Sequence, residues 1–163
     1  MQNVPAKVIF TNPVNFLAFG FGSGLAPKAP GTFGTLACAP IYILISDLPL
    51  IHYIIVCALV SVVGIYICGY CAKSLKTHDH PGIVWDEFAG FLITMIAVPF
   101  NWTNLLIGFI LFRIFDIFKP WSISWLDKQV SGGFGIMIDD IVAGLFALGT
   151  LQLILMLLVY IKV

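Results

Sequence analysis

The stretch "GGFGIMIDDIVAGLFALG", residues 132–149, decides the fold, because one of the most apolar runs in the chain carries two adjacent aspartates, Asp139 and Asp140. A run this apolar belongs to a buried or lipid-facing helix, where a carboxylate costs roughly 2.5–3.5 kcal/mol on insertion scales and faces the bundle interior or a wet cavity. The arrangement recurs at "IVWDEFAGFLI", residues 83–93, where Asp86 and Glu87 open a second apolar run and an Ala-Gly pair follows.

Composition agrees with that reading. Of 163 residues, 60% are hydrophobic and only 10% charged, and the mean hydropathy is +1.04, well outside the range of soluble domains. The expected fold is an all-α integral membrane protein forming a single domain over residues 1–163, with membrane lipids around it. No basic run or interleaved aromatic patch suggests nucleic acid.

A membrane-crossing helix needs about 20 predominantly apolar residues. Leu50 to Ala72 is the clearest span, and Phe88 to Pro99, Asn104 to Phe118 and Ile141 to Ile161 follow, with a shorter run at Phe33 to Ser46. These predict a compact bundle of four or five transmembrane helices, five being preferred. With five crossings and the N-terminus inside, Lys7, Lys28, Lys73, Lys76, Arg113, Lys119 and Lys128 fall on the cytoplasmic side and only Lys162 lies outside, as the positive-inside rule requires. Asp79, Asp86, Glu87, Asp116, Asp127, Asp139 and Asp140 share that cytoplasmic face. The segment "KVIFTNPVNFLAFGFGSG" is read as retained and interfacial, since Asn12, Pro13 and Asn15 interrupt it and it lacks a signal-peptide cleavage pattern. Trp85, Trp102, Trp121 and Trp125 are expected near the two interfaces.

The acid pairs admit two readings. Asp86 and Asp139 are either caps at helix starts, where exposed N–H groups and the positive dipole end favour an anion, or parts of a site. A third charged helix bears on the choice. In "FRIFDIFKPW" the residues Arg113, Asp116 and Lys119 recur every three positions, forming one drifting polar stripe that is either an ion-pair ladder or the basic side of a site. Gly90 and Gly144 follow Asp86 and Asp140 by four residues, so on the same faces neighbouring backbones can approach. Converging carboxylates suit a hard cation, and Mg²⁺ completes its shell with water and phosphate oxygens.

A matching anion site is sought in "GSGLAPKAPGTFGT", residues 22–35, which offers Lys28, Thr32, Thr35 and several glycines just before an apolar helix, with a plain entry turn as the alternative. Thiolate- and arginine-based phosphate chemistries lack their residues here. A Cys-x5-Arg thiolate loop is absent, since the single arginine, Arg113, is far from any cysteine, and one arginine is too few for sites built on several. "CGYC", Cys68 to Cys71, ends an apolar helix instead of opening one, so a lowered thiolate pKa is not expected there. The competing function class is a small transporter or channel that uses buried carboxylates for ion or proton movement, and such proteins hold their acids near the midplane.

Four segments, "GSGLAPKAPGTFGTL", "THDHPGIVWDEFAG", "LFRIFDIFKPWSI" and "GGFGIMIDDIVAG", closely resemble the bacterial phosphatidylglycerophosphatase A family, in the family's order. The resemblance implies a Mg²⁺-dependent phosphatase of the bacterial inner membrane. It would convert phosphatidylglycerophosphate to phosphatidylglycerol, with the active site facing the cytoplasm. The family's His-Asp-Asp-Pro block reads His78, Asp79, His80, Pro81 here, so position 80 lacks the second acid. Residues and resemblance together assign Asp86, Glu87, Asp139 and Asp140 to Mg²⁺. Lys28, Arg113 and Lys119, with Thr32 and Thr35, are assigned to the phosphate. Asp116 is either a further metal ligand or the anchor of Arg113, and Asp79 or one of the four core acids activates water.

Overall fold

The computed structural model describes residues 4–77, 80–118 and 132–162, and among these there is no strand. Its elements are α1 (Ala6–Thr11), α2 (Pro13–Ala18), a 3-10 helix (Gly20–Leu25), α3 (Pro30–Ile45), α4 (Leu50–Ser74), α5 (Trp85–Thr94), α6 (Trp102–Phe118) and α7 (Gly132–Lys162). Local chemistry sets several of the starts. Asn12 caps α2 by accepting the N–H groups of Val14 at 2.9 Å and Asn15 at 3.3 Å, and Pro13 occupies the first helical position, where a missing N–H does no harm. Pro30 opens α3 and Pro49 immediately precedes α4 in the same manner.

Helices α3 to α7 pass up and down, and α5 lies in the middle. Every residue of α5 from Glu87 to Thr94 is buried, enclosed by α3, α4, α6 and α7. With only ten residues α5 rises about 15 Å, half of a hydrocarbon core. Its early end leaves carbonyls without helical partners, a costly state in an apolar interior. Side chains from three neighbours satisfy one carbonyl of its last turn and two in the segment that follows it. The Tyr53 hydroxyl on α4 donates to the Leu92 carbonyl at 2.8 Å, Tyr42 on α3 to that of Val98 at 3.3 Å, and the Gln152 amide on α7 to that of Ile96 at 3.0 Å. The core around this helix is aromatic, with Tyr42, Phe88, Phe91 and Phe112 fully buried.

Two helices, α4 and α7, are long and apolar enough to cross a membrane, while α3 is a shorter apolar helix. Their outward residues Leu59, Val62, Leu153 and Val159 are exposed, a surface suited to hydrocarbon and not to water.

Two expectations change. The apolar run Ile141 to Ile161 belongs to a helix that starts at Gly132, so Asp139 and Asp140 sit in its third turn and cap nothing. The extension has a tertiary cause. A Cβ at Gly133 would collide with the Ile65 carbonyl and lie 2.9 Å from the Gly69 Cα, so glycine lets the first turn of α7 rest directly on α4. Trp85, expected at an interface, is instead packed. Its indole N–H donates to the Val60 carbonyl at 3.1 Å and its ring stacks on Phe88 at 5.5 Å. Trp102 is 71% exposed at the start of α6, whereas Trp121 and Trp125 lie outside the described residues.

Candidate active site

Three helices bring charged side chains to one place, and a fourth packs against them. The first turn of α5 supplies Asp86 and Glu87, the third turn of α7 supplies Asp140, α6 supplies Arg113 and Asp116, and the first turn of α3 closes the side with Gly31. Ligand oxygens of Asp86, Glu87 and Asp140 all lie within 4.8 Å of one another. Glu87 and Asp140 are buried, at 8% and 3% exposure. Carboxylates this close and this dry need a cation or shared protons between them. Arg113 supplies part of the balance through ion pairs to Asp116 at 2.7 Å and Glu87 at 3.8 Å. Among the described residues Glu87 Oε2, Asp140 Oδ2 and Arg113 Nε have no hydrogen-bond partner. Orphaned acceptors inside an acidic cluster are what a bound cation satisfies, and an orphaned guanidinium N–H beside them suits a phosphate oxygen.

Packing, more than helix propensity, holds the cluster together. A Cβ at Gly144 would collide with the Gly90 carbonyl, and one at Gly90 would stand 2.6 Å from the Asp140 carbonyl, so α5 and α7 touch backbone to backbone one turn beyond their acids. Gly31 lets the backbone of α3 approach the site's side chains. A Cβ there would strike the Glu87 carboxylate and lie 3.1 Å and 3.2 Å from the Arg113 terminal nitrogens. Ala29, just before it, adopts the left-handed conformation with φ +48, a strain of order 1–3 kcal/mol of the kind that accumulates at functional sites.

Other expected site residues stand outside the three-carboxylate group. Asp139 is buried but stands outside the three-carboxylate group, and its Oδ1 accepts the N–H of Asp140 at 3.1 Å. Asp116 takes the anchoring position on Arg113. The Thr35 hydroxyl is fully buried and donates to the Gly31 carbonyl at 2.9 Å, so its proton is committed to the helix. Thr32 is half-buried on the first turn of α3, and Lys28 is exposed in the preceding loop and forms no ion pair with a described residue. His80 accepts the N–H of Gly82 on Nδ1 at 3.0 Å and packs on Phe19. Asp79 and Lys119 lie outside the described residues. The sequence reading missed the individual importance of Gly31, for which the Pro-Gly-Thr entry to α3 was the available signal. All four cysteines are buried free thiols, in keeping with a packing role.

Residues 16–155 match the family model described as Phosphatidylglycerophosphatase A. The chain belongs to the phosphatidylglycerophosphatase A family. It is 49% identical over 150 residues to the Escherichia coli (strain K12) protein called Phosphatidylglycerophosphatase A, which covers 91% of this chain and 87% of that one. It is also 45% identical over 149 residues to the Haemophilus influenzae protein of the same name, covering 90% and 91%. No solved structure matches the chain significantly. Membership makes the chain an enzyme, a phosphatase, and the matched span contains every member of the cluster from Gly31 to Asp140.

Within this phosphatase Arg113 holds two carboxylates on separate helices, so its removal should be felt in stability as well as in activity. Arg113→Ala is expected to destabilise the fold by about 3–5 kcal/mol, the typical cost of leaving buried charge uncompensated. A thermal melt in detergent checks this, and a melt unchanged from the parent protein would mean that the pairs carry no structural weight.

Proposed function

We propose that this chain hydrolyses phosphatidylglycerophosphate to phosphatidylglycerol and inorganic phosphate with Mg²⁺ held by Asp86, Glu87 and Asp140. The observation that carries the proposal is the convergence of those three carboxylates within 4.8 Å beside a half-buried arginine, in a chain of this family. Bound there, Mg²⁺ would neutralise phosphate oxygens and order a nucleophilic water. The chain's own residues do the rest. The Arg113 guanidinium takes a non-bridging phosphate oxygen through its unpartnered Nε–H. Thr32 and the positive N-terminal end of α3 at Gly31 face the same oxygens and favour the developing charge. Asp116 holds Arg113 in place. The water oxygen bonds to phosphorus as the ester P–O bond breaks. One proton of that water passes to a carboxylate of the cluster, which returns it to the departing lipid oxygen, and the other stays on the released phosphate. Lys28 draws the anionic headgroup in from the loop.

The reading places the chain in the bacterial inner membrane, crossed by α3, α4, the segment of α5 with residues 95–101, α6 and α7, with the site toward the cytoplasm. The alternation of the five helical segments and the concentration of Lys and Arg near one end support it.

Phosphate release by the purified protein in detergent tests the reaction, with phosphatidylglycerophosphate and phosphatidic acid as substrates and with Mg²⁺ or chelator. The expected result is chelator-sensitive release that favours the first substrate. If folded protein hydrolyses neither lipid, the proposal fails, and carboxylate-linked ion transport becomes the function to assay.

A further inference from the structure

Between α3 and α6 runs a groove of about 380 Å³ with an almost wholly apolar lining that includes Leu36, Ala39, Phe91, Trp102, Leu106 and Phe109. It exists because α3 packs against α5 and the 3-10 helix and barely meets α6, leaving Phe91 of α5 as its floor. Its open lip is greasy, with Leu36 50%, Leu106 59% and Trp102 71% exposed.

The groove lies one helical turn from the candidate active site on all three helices that form it. Leu36 follows Thr32 by four residues, Phe91 follows Glu87 by four, and Phe109 precedes Arg113 by four. Residues four apart lie on one helix face, so each wall reaches the site within about 6 Å, one helical turn. From Arg113 to Trp102 the distance along α6 is about 16 Å, a length that takes an extended alkyl segment. One turn beyond the groove the charged cluster begins, and a phospholipid monoester has the same polarity order along its length.

We infer that this groove seats one fatty acyl chain of the lipid substrate and thereby sets how deeply the phosphate enters beside Arg113. The inference rests on the proposed lipid phosphatase reaction and adds the residues that select the chain. Acyl burial here gives a binding contribution that a chain-free headgroup cannot make.

The test uses the full-length enzyme in detergent. Ala39→Phe fills the groove from its α3 wall and Leu106→Trp narrows the lip, while Leu153→Trp adds the same bulk at an exposed position on α7, away from the groove. Each is assayed with dipalmitoyl phosphatidylglycerophosphate and with its dihexanoyl analogue. The groove variants are expected to raise KM for the dipalmitoyl lipid about tenfold, with kcat and the dihexanoyl reaction changed less than about twofold. The Leu153→Trp variant should match the parent. Equal loss on both substrates, or no loss on either, overturns the inference while leaving the reaction itself established by the parent enzyme. A second measurement needs no turnover. A diazirine-bearing acyl chain on the product lipid should crosslink to residues 36–39 and 102–109, and labelling confined to the outward faces of α4 and α7 also overturns it. If the parent enzyme hydrolyses neither lipid, the proposed reaction has failed, and the assignment of a substrate chain falls with it.

Discussion

Asp140→Asn is expected to lower phosphate release about a thousandfold or more while the protein remains folded. Asparagine keeps the shape of the side chain and removes the charge. Asp140 is 3% exposed and shares a space of 4.8 Å with Asp86 and Glu87, so the charge it loses is one that the fold holds against repulsion and desolvation. Stability without metal should therefore be equal to the parent's or higher, the usual sign of a residue kept for function at a cost to stability. Asp139→Asn separates the two neighbours. Its carboxylate stands outside the group and accepts the Asp140 N–H, so under the proposed function it supports a ligand without being one, and a loss of about 10–100-fold is expected. Two measurements are needed, kcat at saturating Mg²⁺ and the shift of the melting temperature on adding Mg²⁺. The shift should vanish in Asp140→Asn and persist in Asp139→Asn. If Asp139→Asn proves the more damaging by both measures, the assignment of the pair is reversed.

Gly144→Val is expected to remove activity by a different route, through the loss of the bundle itself. A Cβ at residue 144 would meet the Gly90 carbonyl carbon and Cα at 3.0 Å, with the carbonyl oxygen closer still. All three are backbone atoms, so no rotamer change relieves the clash. Helices α5 and α7 must then separate, and they carry the three acids. Overpacking of this kind typically costs about 1–3 kcal/mol, occasionally more, and the high end is expected where two backbones oppose each other. Gly149, on the same helix, has open space where a side chain would begin, with no atom within 4 Å of the position a Cβ would take. Gly149→Ala should be neutral or stabilising by up to about 1 kcal/mol, the helix-propensity gain. Size-exclusion profiles and thermal melts of the two variants in detergent decide the matter. Equal stability would show that the close approach of α5 and α7 is not needed.

Much of the candidate site was legible because costly residues announce themselves. Asp86, Glu87 and Asp140 stood out as acids inside apolar runs, and the spacing of Arg113 and Asp116 placed them on one helical face. Gly90 and Gly144 were marked by their distance from the acids. The partition between Asp139 and Asp140 was not legible, since adjacent identical residues differ only in direction, and direction depends on where the helix is held. The same holds for Thr35, whose hydroxyl has several partners open to it in a sequence and one in the folded chain.

By itself the sequence determined the composition of the outer surface, the all-helical class, and which charges must be gathered away from hydrocarbon, because those follow from residue type and period alone. The tertiary structure decided that α7 begins at Gly132, that α5 stops after ten residues with carbonyls of its end and of the following segment taken by Tyr53, Tyr42 and Gln152, and that the loop before α3 delivers Gly31 against Glu87 and Arg113. Each of these depends on contacts between segments far apart in the chain. Glycine-to-backbone approaches and side-chain donors to orphaned carbonyls gain their energy only when both partners are in place, so no local pattern contains them.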